Sequence, residues 1–252
     1  MLNGFVKHQI EAGKDTFYRL KNHSQISWRL LVWLFASQFK KLTSSKLSQP
    51  VPGPRCMVFD DTLLEKTGKR IEKVSRVFDH VTRRSVLGFK LLLMGYWDSI
   101  SFIPVDFSIH RERGQNKGKP FGLKKKELKR QFRKKREKGT CTYERACEAD
   151  EPKISCAIKM FRRAISLGFT VDYVLVDSWF TCEALIDAVL KVRKGTTHLI
   201  GMYKIVRTKF LFHGKELTHS QIRNMLGKPR RCRKLKLYYL VAEVGYNGTP
   251  VE

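Results

Sequence analysis

The sequence predicts an α/β fold: a mixed sheet with flanking helices, preceded by a small helical segment and followed by the start of a β-rich stretch. Three observations carry this expectation. Two short apolar runs, Cys56-Met57-Val58-Phe59 and Tyr173-Val174-Leu175-Val176, each meet an Asp and read as buried strands. Ser85 to Tyr96 and Ser101 to Ile109 flank the turn Trp97-Asp98-Ser99 and make an antiparallel meander. Pro152 to Leu167 and Glu183 to Val192 repeat apolar residues at helical spacing, the first stopping at Gly168, a natural helix terminator.

Residues 1–49 form the helical prelude, in which Trp28, Leu31, Leu34, Phe35 and Phe39 fall close to one helix face. Residues 50–54 contain three prolines, which forbid helix and favour an extended linker. Residues 55–203 carry the strands and helices of the core, with 111–140 as an insert. Residues 204–252 read as turns and extended segments, notably Leu235 to Val244.

The charge bounds the partner. Fifty Lys and Arg against 23 Asp and Glu give a formal +27, far more than solubility requires, so a polyanion is expected. Fourteen Lys/Arg against three Glu between Arg111 and Lys138 supply eleven of those net charges. Lys124, Lys125, Lys126, Arg130, Arg133 and Arg136 fit either a basic helix along phosphates or a solvated surface loop. A second cluster, with Arg230 and Arg231, lies in Lys228-Pro229-Arg230-Arg231-Cys232-Arg233-Lys234.

Several function classes are excluded. No run approaches the eighteen or so apolar residues that span a bilayer, and the most apolar early window, Trp28 to Phe35, carries Arg29 and no cleavage signal. Six cysteines at irregular spacing suit reduced thiols in a cytosol, and Cys141, Cys147 and Cys156 do not match zinc spacings. None of the seven histidines accompanies a Ser or Cys nucleophile signature, and no glycine-rich phosphate loop occurs.

The remaining chemistry rests on the carboxylates. Strands that deliver Asp61 and Asp177 at the C-terminal edge of a sheet could place both on one metal. Paired carboxylates beside a basic surface suit Mg²⁺-dependent phosphodiester chemistry. An Asp in a strand-to-helix turn is equally the ordinary N-cap, accepting from the first helical amides. Asp60 and Asp61 must face opposite sides if the strand continues through them.

Met57-Val58-Phe59-Asp60-Asp61-Thr62, Lys66-Thr67-Gly68-Lys69, Phe78-Asp79-His80-Val81-Thr82, Leu87-Gly88 and Tyr173 to Phe180 resemble the IS4-type DDE transposases, from about Arg55 onward. The resemblance implies an RNase H-like mixed sheet, Mg²⁺ (Mn²⁺ substituting), and hydrolysis and strand transfer at transposon ends in duplex DNA. It implies Asp61 as the first acid, with Asp60 its neighbour, and Asp177 in Val176-Asp177-Ser178 as the second. The family's third acid, a Glu in a Tyr, Arg, Glu, Lys signature after a β-rich insertion, has no counterpart; neither Glu243 nor Glu252 sits in such a signature. The chain is therefore expected to be truncated at its C-terminus and to show little strand transfer by itself. Its partners would be transposon terminal repeats and target DNA near the nucleoid, with a homodimer or a heterodimer with the full-length transposase. A non-catalytic DNA-binding remnant or inhibitor, and a nuclease acting on RNA or hybrids, are the competing readings.

Overall fold

The computed structural model describes residues 13–45, 53–203, 208–246 and 248–251. Part of the prelude and most of the proline linker lie outside these, as does Glu252. The chain begins with helices α1 (Lys14–Asn22) and α2 (Trp28–Ser45). Strands β1 (Cys56–Glu65), β2 (Ser75–Asp79), β3 (Arg84–Trp97) and β4 (Phe102–His110) follow, then helices α3 (Lys125–Lys129), α4 (Cys141–Glu148) and α5 (Lys153–Ser166). Strand β5 (Tyr173–Val176), helix α6 (Glu183–Leu190) and strand β6 (His198–Gly201) precede β7 (Lys209–Phe212), β8 (Lys215–Thr218) and α7 (His219–Met225). The last strands are β9 (Arg230–Cys232), β10 (Leu237–Tyr239), β11 (Val244–Tyr246) and β12 (Thr249–Val251).

The main sheet has the order β2-β3-β1-β5-β6, with β4 also pairing β3. Strands β1, β5 and β6 run parallel, with Met57 beside Val174 and Val174 beside Leu199. Strands β4, β3, β1, β5 and β6 thus give the RNase H-like arrangement expected, to which β2 adds an antiparallel hairpin partner for β3. The chain divides into two compact units. The first holds Met1–Thr43, Asp61–Leu92 and Asp106–Pro152; the second holds Ser44–Asp60, Leu93–Val105 and Lys153–Glu252.

In the first unit, charge fixes the segments. Arg29 of α2 donates Nε to Asp106 Oδ1 at 2.6 Å, and Nη2 to both Glu148 oxygens at 2.8 Å and to Phe107 O at 3.0 Å. Burial works against the Arg29 charge, but Asp106 and Glu148 outweigh it and raise its pKa. This ion pair and the fully buried Ala36 choose the inward face of α2. The apolar face read from the sequence, Trp28, Leu31, Leu34, Phe35 and Phe39, is exposed.

Strand β1 was expected to end at its carboxylates, yet it continues to Glu65. The reason is β3: Lys66 N donates to Leu87 O at 2.8 Å, and a Cβ on Gly88 would stand 2.3 Å from Leu64 O. Only glycine permits that close passage. The basic insert is also ordered, with one five-residue helix, α3, in place of a helix through Lys138. Backbone and side chain pin it down: Phe132 N to Arg70 O at 2.7 Å, Gln131 Nε2 to Val74 O at 2.7 Å, and Arg136 to both Glu72 oxygens at 2.6 and 2.7 Å.

In the second unit, apolar burial dominates. Met57, Phe59, Ala157, Met160, Phe161, Val174 and Leu185 are at most 2 % exposed, and α6 lies against α5 and β6. A separate four-stranded sheet, β12-β11-β7-β8, buries Phe210 and Phe212 with Ile222 of α7. Among the described residues strands β9 and β10 pair only with each other. The single extended segment read from Leu235 to Val244 is therefore broken, its ends belonging to different sheets.

Candidate functional site

Asp60 and Asp61 lie within β1, so pleating sends them to opposite faces. Asp61 shares the side of Met57 and Phe59 and is half-buried. The ammonium of Lys90, on β3, stands 3.9 Å from its Oδ1. Lys90 is only 5 % exposed, so a cation sits in a place where an unpaired one would be costly. Asp60 is exposed. In the β1–β5 ladder Val58 pairs Leu175; carried two residues further, that register brings Asp60 level with Asp177.

Asp177 follows the last residue of β5, and its side chain builds the turn into α6. Its Oδ1 accepts from Trp179 N at 3.0 Å and Phe180 N at 3.2 Å, and its backbone carbonyl accepts from Phe180 N at 3.2 Å. The helix N-cap open in the sequence is not realised, since α6 begins at Glu183 with Cys182 at its N-cap; Asp177 instead closes the preceding turn, with one oxygen. Among the described residues no donor meets Oδ2, and the residue is exposed. Gly201 of β6 makes room for this turn: a Cβ there would lie 2.2 Å from Thr181 Oγ1, which donates to Met202 O at 2.9 Å. Phe180 is buried and anchors the turn, while Trp179 is half exposed with Lys153 Nζ 4.0 Å from its ring.

A hard divalent cation takes oxygen ligands and commonly needs only one or two carboxylates besides water and phosphate. An exposed carboxylate with one oxygen already oriented by amides, as at Asp177, fits that demand. Among the described residues no group of three or more His, Cys, Asp or Glu side chains is placed to hold a metal.

The basic residues separate into tied and exposed. Arg136 is committed to Glu72, whose pKa this pairing lowers. Lys124, Lys125, Lys126, Arg130 and Arg133 are exposed. Arg230 and Arg231 lie on the exposed β9–β10 hairpin, where Tyr239 and Tyr238 are their register partners. Tyr238 is 65 % exposed, so this ribbon presents aromatic rings beside guanidinium groups. Sequence reasoning missed Lys90 and Trp179. The signal for Lys90 is a lone charge inside the apolar run from Leu87 to Leu93; nothing local marks Trp179.

No helix among the described residues is long and apolar enough to cross a membrane. No curated protein matches the chain. The family model of the DDE superfamily endonucleases matches residues 6–235. The match covers the strands bearing Asp60, Asp61 and Asp177 and the basic insert, and places the chain with nucleases of transposase type. The chain belongs to the DDE superfamily endonuclease family.

Proposed function

We propose that the protein is an IS4-kind insertion-sequence transposase polypeptide that acts on duplex DNA through a Mg²⁺ site containing Asp61 and Asp177. The observation that carries this reading is Asp177: its carboxylate is oriented by two backbone amides through Oδ1, while Oδ2 faces no protein donor among the described residues. When bound, a divalent ion supplies Lewis-acid polarisation of a phosphoryl oxygen and a more acidic attacking water. The protein's own part is to orient. The Trp179 and Phe180 amides fix Asp177, Lys90 restrains Asp61, and the arginines of the β9–β10 hairpin meet phosphates. A two-stranded ribbon is of a size that the DNA major groove admits.

Two carboxylates from this chain leave the remaining ligand positions of the ion to water and phosphate oxygens. The test is Mn²⁺ binding followed by electron paramagnetic resonance, together with nicking of supercoiled plasmid. Asp61→Asn and Asp177→Asn each lower Mn²⁺ affinity about tenfold or more, and Asp60→Asn leaves it unchanged. Unchanged binding in both Asp61→Asn and Asp177→Asn overturns the metal site. Salt-sensitive duplex binding without Mn²⁺-dependent nicking supports the second reading, a DNA-binding polypeptide that does not cut; it is favoured by the lack of a three-ligand cluster among the described residues.

A further inference from the structure

The first unit contains a cleft of about 530 Å³ whose lining includes neither Asp61 nor Asp177 but five basic side chains, one acidic one and three aromatic rings. We propose that this cleft binds an unpaired, single-stranded segment of DNA, stacking a base on Phe132 and drawing its phosphates to Arg133 and Lys134. The proposal rests on the DNA-acting reading and adds a site for a strand that is not in a duplex.

Ion pairs tie the walls of the cleft together. Three of its cations serve as struts: Arg136 grips Glu72, and Lys73 and Arg111 both bind Asp150. Arg111 also lies over the Phe121 ring, 3.9 Å from its centroid. Phe121 itself adopts φ +62°, a left-handed conformation rare for a bulky residue, held by its N–H donating to Arg113 O at 2.7 Å. Such strain persists where surrounding contacts enforce it, and is a feature of ligand clamps.

The remaining groups are the ones a ligand would use. Phe132 is 64 % exposed although its backbone is pinned to Arg70, so an apolar ring is held out at the rim rather than packed. Among the described residues Arg133 meets no carboxylate, and Lys134 Nζ reaches only Asn22 O at 3.4 Å. An aromatic platform beside a cationic groove is the arrangement that holds single strands, because every base offers a ring face. Duplex DNA keeps those faces stacked inside and gains only from the charges.

The test is binding of a fluorescent twelve-nucleotide thymidine strand, and of a duplex of equal length, to the full chain and to Phe132→Ala. Phe132 is exposed, so the variant should melt as the parent does, which a thermal scan checks. Loss of about tenfold in single-strand affinity with duplex affinity unchanged supports the cleft. Arg133→Gln combined with Lys134→Gln should flatten the salt dependence of single-strand binding. An unchanged single-strand affinity in Phe132→Ala, or an equal fall for strand and duplex, overturns the cleft while leaving the DNA reading intact. Failure of the parent chain to bind either form overturns the DNA reading itself. Tighter binding of an equal-length RNA strand overturns the assignment to DNA.

Discussion

The first unit adds to its buried Val74, Val77, Leu92 and Leu123 a set of ion pairs between segments, Arg29 to Asp106 and Glu148, Lys73 and Arg111 to Asp150, and Arg136 to Glu72. The second fixes its own with buried Met57, Phe59, Met160, Phe161, Val174 and Leu185. The same contrast reaches the candidate ligands. Asp61, in the first unit, is restrained by a buried ammonium; Asp177, in the second, is restrained by backbone amides. A chain so rich in Lys and Arg must spend some of that charge internally, and the first unit is where it is matched by carboxylates. The basic insert is consequently a built surface rather than a loose one.

The contrast can be broken most severely at Arg29. Arg29→Met removes the guanidinium that bridges buried Asp106 and Glu148, leaving Arg145 at 4.0 Å from Glu148, and should cost about 3 kcal/mol in urea unfolding. The matching change in the second unit, Arg55→Met, removes a partly exposed pair with Asp172 and a bond to Thr170 and should cost about 1 kcal/mol. Equal losses would erase the distinction between the units.

Asp177 permits a sharper separation of structure from chemistry. Asp177→Ala removes the acceptor for two turn amides and should destabilise by about 1 kcal/mol. Asparagine keeps a side-chain oxygen for those amides, so Asp177→Asn should unfold as the parent does while losing Mn²⁺ binding. A similar stability loss in both variants would mean that charge, not the cap, holds the turn.

The pH response should also belong to the first unit. The Arg136 hydrogen bonds hold Glu72 below the ordinary carboxylate range. A depressed folded pKa gives stability that is complete above the unfolded value, about 4.3, and is lost as pH falls from there through the folded pKa. Arg136→Gln should flatten acid unfolding over that window, whereas Arg136→Lys should keep part of it.

The smallest expected effect is at Lys90. Lys90→Met removes a positive charge 3.9 Å from Asp61 and should tighten Mn²⁺ binding a few-fold. No change, with Asp60→Asn instead weakening Mn²⁺, would move the first ligand from Asp61 to Asp60.

Much of this was legible beforehand because it is written in local patterns. Apolar runs followed by Asp gave β1 and β5 their positions, and helical spacing gave α5 and α6, since burial on one face of a sheet or helix dictates which residues recur. Charge alone implied a polyanion. The sequence did not show which face of α2 turns inward, because a partner ion pair outranked the hydrophobic stripe. Nor did it show that β1 runs on past Asp61, which depends on a β3 backbone passing close at Gly88. It left open whether Asp177 caps a helix, and the tertiary structure spends one of its oxygens on the turn before α6 instead. Local sequence fixes what a segment prefers to bury or expose. Which charges meet across seventy or more residues, as Arg29 meets Asp106, is decided only when the segments are folded against one another.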